Sequence, residues 1–224
     1  MKLLLTSAGI SNQSIMDALL ELLGKPIAEC RALFVPTAIY GIGEGPSICY
    51  GVVTGRIGDP FCDMGWASLG VLELTALPSL KEETWQRWVN EADVILVGGG
   101  DPLYLAHWMR QSGLAAMLHN FGNEKVYVGL SAGSMVAATD FGGKSYGLHN
   151  LSGVEQGGLG LVDFAMFPHL DYPGFVNNTS AKAEEWAAQM PVTVYAMDDT
   201  TAIQVVDGEV KVISEGNWRR FEKS

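Results

Sequence analysis

A strand-like run, Lys125-Val126-Tyr127-Val128, passes without a break into Gly129-Leu130-Ser131-Ala132-Gly133. The apolar stretch Met135-Val136-Ala137-Ala138 follows with helical character. Few arrangements satisfy that order. A Gly-x-Ser-x-Gly segment between a buried strand and a helix describes a bend too sharp for Cβ atoms on its flanks, with the serine hydroxyl raised at the tip. With 27 glycines in 224 residues, the pentapeptide by itself is a weak signal. The strand before it and the helix after it make it a candidate nucleophile elbow. Ser131 is then exposed at the tip, and the Ala132 amide is placed to stabilise an oxyanion.

The rest of the chain alternates strand-like and helix-like segments, the pattern of an α/β domain with a mostly parallel sheet. Leu3-Leu4-Leu5 reads as a first strand. Ser11 or Asn12 can cap a helix carrying Ile15, Leu19 and Leu22 at helical spacing. Leu33-Phe34-Val35 is a second strand and Gly70 to Leu74 a third. Trp85, Trp88, Val89 and Ala92 share one helical face, and Val94-Ile95-Leu96-Val97 is apolar throughout, as a central parallel strand must be. Leu105, Trp108 and Met109 line another helix; Ala183, Trp186, Ala187 and Met190 line a later one. Strands are expected over Val162–Phe167 and Val192–Met197. A hairpin is expected over Thr201–Val206 and Glu209–Ile213, turning at Asp207-Gly208. Tyr40 to Ala67 is glycine-rich without clear periodicity and reads as a surface segment near the site.

Composition limits the partners. A chain that is 48% hydrophobic and 17% charged folds into a compact core. Its net charge of −11, without any basic run, argues against nucleic acid or an anionic membrane. Met1-Lys2-Leu3-Leu4-Leu5 begins like a signal peptide, but the apolar run stops at Thr6-Ser7, and no stretch reaches the length of a transmembrane helix. Cys30, Cys49 and Cys62 are odd in number and have no metal or redox spacing. The expectation is one domain over residues 1–224, cytoplasmic, without metal or cofactor. A homodimer is left open.

A serine hydroxyl becomes a nucleophile only when a base takes its proton. Of four histidines, His107 and His119 sit in helical stretches and His149 in a polar loop. His169 follows the Val162–Phe167 strand and Pro168, at the strand end where α/β sites form, and is the preferred base. For the carboxylate that orients it, Asp198-Asp199 ends another apolar strand. Asp171 competes from two residues beyond the histidine, with Asp140 and Glu155 weaker. Gly98-Gly99-Gly100 closes the Val94 strand before Asp101-Pro102, and lets the main chain approach a ligand and supply a second oxyanion donor. A phosphate loop is the rival reading, but the P-loop lysine is missing.

Val97-Gly98-Gly99-Gly100, Gly129-Leu130-Ser131-Ala132-Gly133-Ser134, Pro168-His169 and Asp199-x-x-Ala202-Ile203 together resemble the dipeptidase E and cyanophycinase family of serine peptidases. The resemblance runs from Leu3 to the terminal hairpin. It implies a three-layer α/β sandwich like that of class I glutamine amidotransferases, with serine where those enzymes carry cysteine. It further implies Ser131 as nucleophile, His169 as base, Asp199 as acid, Gly99 and Ala132 as oxyanion donors, and Gly100 and Asp101 beside the substrate. The chain departs from the family in three places. Members often carry glutamate where Asp199 stands and asparagine where Asp101 stands. The aspartyl dipeptidases have arginines after the histidine, whereas Leu170 to Met190 holds only Lys182. The expected function is a peptidase acting on short peptides or peptide-like amides through an acyl-enzyme. A hydrolase of non-peptide esters or amides, and a binding module without turnover, are the alternatives.

Overall fold

The computed structural model describes residues 1–57, 61–143 and 155–223. Among these residues, ten strands follow in chain order: β1 (Lys2–Thr6), β2 (Arg31–Val35), β3 (Ser68–Val71), β4 (Val94–Val97), β5 (Val126–Leu130), β6 (Phe164–Phe167), β7 (Thr193–Met197), β8 (Thr201–Val206), β9 (Glu209–Ser214) and β10 (Trp218–Phe221). The helices are α1 (Gln13–Leu23), α2 (Thr37–Tyr40), α3 (Gly45–Val53), α4 (Glu82–Glu91), α5 (Pro102–Gln111), α6 (Leu114–His119), α7 (Ala132–Met135) and α8 (Ser180–Ala187). Among the described residues, no helix is long and apolar enough to cross a membrane.

A seven-stranded sheet has the order β3-β2-β4-β5-β1-β8-β9. The first five run parallel, with Leu4 opposite Val128 and Leu96 opposite Val128 from the other side; β8 and β9 are antiparallel. The apolar runs have no polar face because both faces are covered. Leu3, Leu5, Leu33, Val35, Ile95, Val97 and Tyr127 enter one core with α4, α5, α6 and α7. The alternate residues Leu4, Ala32, Phe34, Val94, Leu96, Val126 and Val128 enter the other, under α1 and α3. Helix α1 shows why the pattern works. Asn12 accepts the Ile15 N–H at 2.9 Å, Gly24 closes the far end at φ 67°, and Ile15, Leu19 and Leu22 are buried. Each such side chain contributes about 1.5–3 kcal/mol.

The large, mostly parallel sheet is the one expected, but it does not hold every strand. Strands β6 and β7 stand apart with β10 in a three-stranded sheet of order β10-β7-β6. Antiparallel β8 occupies the edge of β1 that another parallel strand would need. Phe164, Met166, Tyr195 and Met197 join the first core, while Ala165, Phe167, Val194 and Ala196 pack against Ala183 of α8. The elbow helix is also shorter than the apolar stretch suggests. Leu159 N–H donates to Val136 O at 2.7 Å and Leu161 N–H to Ala137 O at 2.8 Å, so the returning chain takes the carbonyls a longer helix would use. Ala138 instead bridges to Val162. Two smaller differences concern the first half of the chain. β3 begins two residues before the expected strand and ends at Val71, and α2 and α3 occupy part of the segment expected to lack regular structure. The hairpin turn has φ 52° at Asp207 and φ 84° at Gly208, the geometry that favours Asp-Gly there.

Candidate active site

Ser131 sits between β5 and α7 at φ 49° and ψ −109°, a strained conformation for a residue with a side chain. The neighbouring glycines are forced by space. A Cβ on Gly129 would lie 2.7 Å from the Gly133 carbonyl, and one on Gly133 would lie 2.2 Å from Val97 O. The turn is fastened beneath. Ser131 N–H donates to Thr6 O at 3.1 Å, Ser134 Oγ to Thr6 O at 2.8 Å, and Tyr127 OH to Gly133 O at 2.6 Å. Burial pushes the Tyr127 phenol far up, so it stays a neutral donor. The Ser131 amide is therefore engaged. Ala132 begins α7, and its N–H has no intrahelical acceptor.

His169 Nε2 lies 2.9 Å from Ser131 Oγ, and His169 Nδ1 lies 2.6 Å from Asp199 Oδ1. The histidine and its carboxylate both follow strands of the small sheet: Pro168-His169 after β6, Asp198-Asp199 after β7. His169 has φ 58°, in the left-handed region, and Phe175 stands against its ring with centroids 5.0 Å apart. Ser7, fully buried at the end of β1, ties the pieces together. Its Oγ accepts the His169 N–H at 2.8 Å and donates to Asp199 Oδ1 at 3.1 Å. Ser11 Oγ holds Asp199 O at 2.6 Å, and Asn12 Nδ2 holds Thr200 O at 2.8 Å. Ser7 was not among the expected site residues. Its one visible signal is its place just after an apolar strand, at the sheet edge where sites form.

The other carboxylates are used elsewhere. Asp198 Oδ1 accepts from Thr200 N, Thr200 Oγ1 and Thr201 Oγ1 at 2.8–3.0 Å, and its Oδ2 accepts from Asn217 N. Burial works to raise its pKa, but those hydrogen bonds outweigh it and hold the carboxyl below the ordinary aspartate range. Asp171 accepts from Ser180 N and Oγ at 2.9 and 2.8 Å. Asp140 binds the Gly142 N–H, and Glu155 pairs with Arg110. His107 packs on the Trp108 ring, and His119 lies in the last turn of α6. His149 lies outside the described residues. Among the described residues, no group of three or more His, Cys, Asp and Glu could hold a metal ion.

The glycine run forms the opposite lip. Gly98 N–H is engaged by Val35 O at 3.0 Å. Gly99 lies beside the elbow, where an added Cβ would be 3.4 Å from Ser131 Cβ and 2.8 Å from Leu130 Cδ2. Gly100, at φ 136°, passes so near α2 that a Cβ would lie 2.1 Å from Ala38 O. Asp101 departs from its expected place beside a substrate. It is 2% exposed, and its Oδ1 accepts the Tyr104 N–H at 2.8 Å as the cap of α5. Asp-Pro at a helix start suits that role. Between the lips lies a cleft of about 350 Å³, bounded by Ser131, His169, Gly98–Gly100, Leu130 and Phe175. Phe34, Ile39, Ile42, Ile48, Val52 and Phe61 line it further. Lys182, the one cation between Leu170 and Met190, pairs with Glu185 at 2.5 Å.

Residues 3–213 match peptidase family S51. A protein named peptidase E from Nostoc sp. (strain PCC 7120 / SAG 25.82 / UTEX 2576) is 25% identical over 137 residues, 58% of this chain. The match spans only 56% of that relative's length. Two crystal structures share the fold. A protein described as a peptidase E from Listeria monocytogenes EGD-e superposes with a TM-score of 0.68, at 18% identity, over 96% of this chain and 98% of its own. A peptidase from an acI-B1 actinobacterium does so with a TM-score of 0.59, at 20% identity, over 99% and 94%. With the match covering nearly all of the chain, from β1 into β9, this protein belongs to peptidase family S51.

Proposed function

We propose that the protein is a serine peptidase that cleaves short peptides through an acyl-enzyme on Ser131. The observation that carries this reading is the unbroken chain Ser131 Oγ–His169 Nε2, 2.9 Å, and His169 Nδ1–Asp199 Oδ1, 2.6 Å, beside an open cleft. His169 takes the hydroxyl proton as Oγ attacks the substrate carbonyl carbon. The imidazolium so formed faces the Asp199 carboxylate, which fixes the tautomer and stabilises the charge. The carbonyl oxygen gains its negative charge against the Ala132 and Gly99 N–H groups, donors already fixed by the elbow and the glycine run. His169 then returns the proton to the leaving amine. A water, activated by the same imidazole, attacks the ester, and Ser131 is released with its proton restored.

Fluorophosphonate treatment tests the nucleophile. The expected product carries the phosphonyl group on Ser131, located by mass spectrometry of the modified peptide, and Ser131→Ala abolishes both labelling and peptide hydrolysis. Labelling at Ser134, or hydrolysis that survives Ser131→Ala, would show the assignment to be wrong. Ser134 is fully buried and bound to Thr6 O, so it is not expected to react.

A further inference from the structure

Resting on that reading, we infer that the residue whose carbonyl Ser131 attacks carries a large apolar side chain, aromatic or branched aliphatic. The cleft wall begins at the reacting atoms. A Cβ on Gly98 would lie 3.3 Å from the Phe34 ring and 3.5 Å from Ile39 Cδ1, so these side chains abut the glycine run beside Ser131. Phe34, Ile39 and Val52 are 7% exposed or less and form the floor, while Ile42 and Ile48 are half-buried at the mouth. The leaving amine departs on the His169 side, where it collects its proton. The acyl residue's side chain therefore falls toward the glycine run and into this pocket.

No Asp, Glu, Lys or Arg side chain borders the cleft among the described residues. A substrate carboxylate or ammonium entering there would lose its water without gaining a partner, which is strongly unfavourable. Arg56, on the turn after α3, lies over the Tyr50 ring at 5.0 Å. The segment beyond His169 extends the apolar character outward, with Tyr172 46%, Phe175 47% and Val176 82% exposed. Aromatic and aliphatic groups gain by filling such a site, and small side chains leave it partly empty.

A series of 1-aminoalkyl diphenyl phosphonates, bearing the side chains of Phe, Leu, Ala, Asp and Lys, tests this on the intact protein. The side chain in these probes occupies the acyl position. Labelling of Ser131 by the Phe and Leu probes is expected to be at least about 30-fold faster than by the Asp and Lys probes, about 2 kcal/mol. The Ala probe should fall between. Ile48→Arg should slow the Phe probe about tenfold or more and speed the Asp probe; Ile42→Arg, also half-buried on the cleft wall, serves the same purpose if Ile48→Arg does not fold. A flat ranking, or one led by Asp or Lys, overturns the inference. Fluorophosphonate, which has no amino-acid side chain, separates the two failures. If it labels Ser131 while the ranking is flat, only the pocket assignment fails; if nothing labels Ser131, the nucleophile assignment fails with it.

Discussion

Asp199 Oδ1 faces two donors, His169 Nδ1 at 2.6 Å and Ser7 Oγ at 3.1 Å. The Ser7 hydroxyl has one proton and also reaches Met197 O at 3.3 Å, but the charged acceptor at shorter range is the stronger partner. In Asp199→Asn the amide cannot stabilise the imidazolium. Turnover is expected to fall by roughly 10⁴, as in the analogous change in a chymotrypsin-type triad, with the fold intact by circular dichroism. Asp171→Asn, whose carboxylate accepts from Ser180 N and Oγ, should stay within about threefold of the parent. The reverse ranking would mean that the acid has been misassigned. Ser7→Ala removes a buried donor to Asp199 and an acceptor for the His169 amide. Such losses are about 1–3 kcal/mol, so kcat should drop roughly 5- to 150-fold while KM changes little. A KM effect alone would show that Ser7 does not position the triad. The sequence made His169 readable because it ends an apolar strand. The choice of Asp199 over Asp198 came from the family resemblance alone, because a turn has no strand periodicity to say which neighbour points inward.

Elements show the same division. The runs of β1, β2, β4 and β5 were legible because each is apolar on both faces, a pattern that only a covered central strand produces. The pattern of β6 and β7 looks the same, yet they form their own sheet. Partner choice depends on which edges remain available, and local sequence does not carry that. Helix α3 was hidden because Gly45, Pro46 and Gly51 interrupt its nine residues and blur the 3.6 period. Asp198 links three elements of this region, ending β7 while accepting from Thr201 of β8 and from Asn217 just before β10. Its folded pKa is depressed, so its contribution to stability is full above the unfolded aspartate value of about 3.9. That contribution is lost as pH falls through the lower folded value. Thermal melts between about pH 5 and 2 should therefore show a steeper acid loss for the parent than for Asp198→Asn. Parallel curves would remove Asp198 from the acid response, and melts at pH 7 should place the variant lower because its charge-assisted bonds are gone.

At the scale of the whole molecule, a net charge of −11 surrounds a cleft whose described lining offers no fixed cation. Both features act against an anionic side chain, by different routes. The field slows approach and is screened by salt over a Debye length of about 10 Å at 0.1 M. The missing cation affects the bound state, and salt does little to it. Capturing a carboxylate in a partly dry site needs a paired charge, and loss of such a pair costs about 2–5 kcal/mol. The expected outcome is no preference for Asp-Leu over Ala-Leu in kcat/KM at fixed pH. Raising ionic strength from about 10 to 150 mM should improve Asp-Leu more than Ala-Leu without reversing the order. A preference for Asp-Leu above about a hundredfold, close to 3 kcal/mol, would require a cation that reaches the cleft from outside its described walls. A salt response equal for both peptides would instead mean that the molecule's field does not extend to the mouth of the site. The acidic surface would then serve solubility alone, and selectivity would rest on Ile42, Ile48 and the walls behind them.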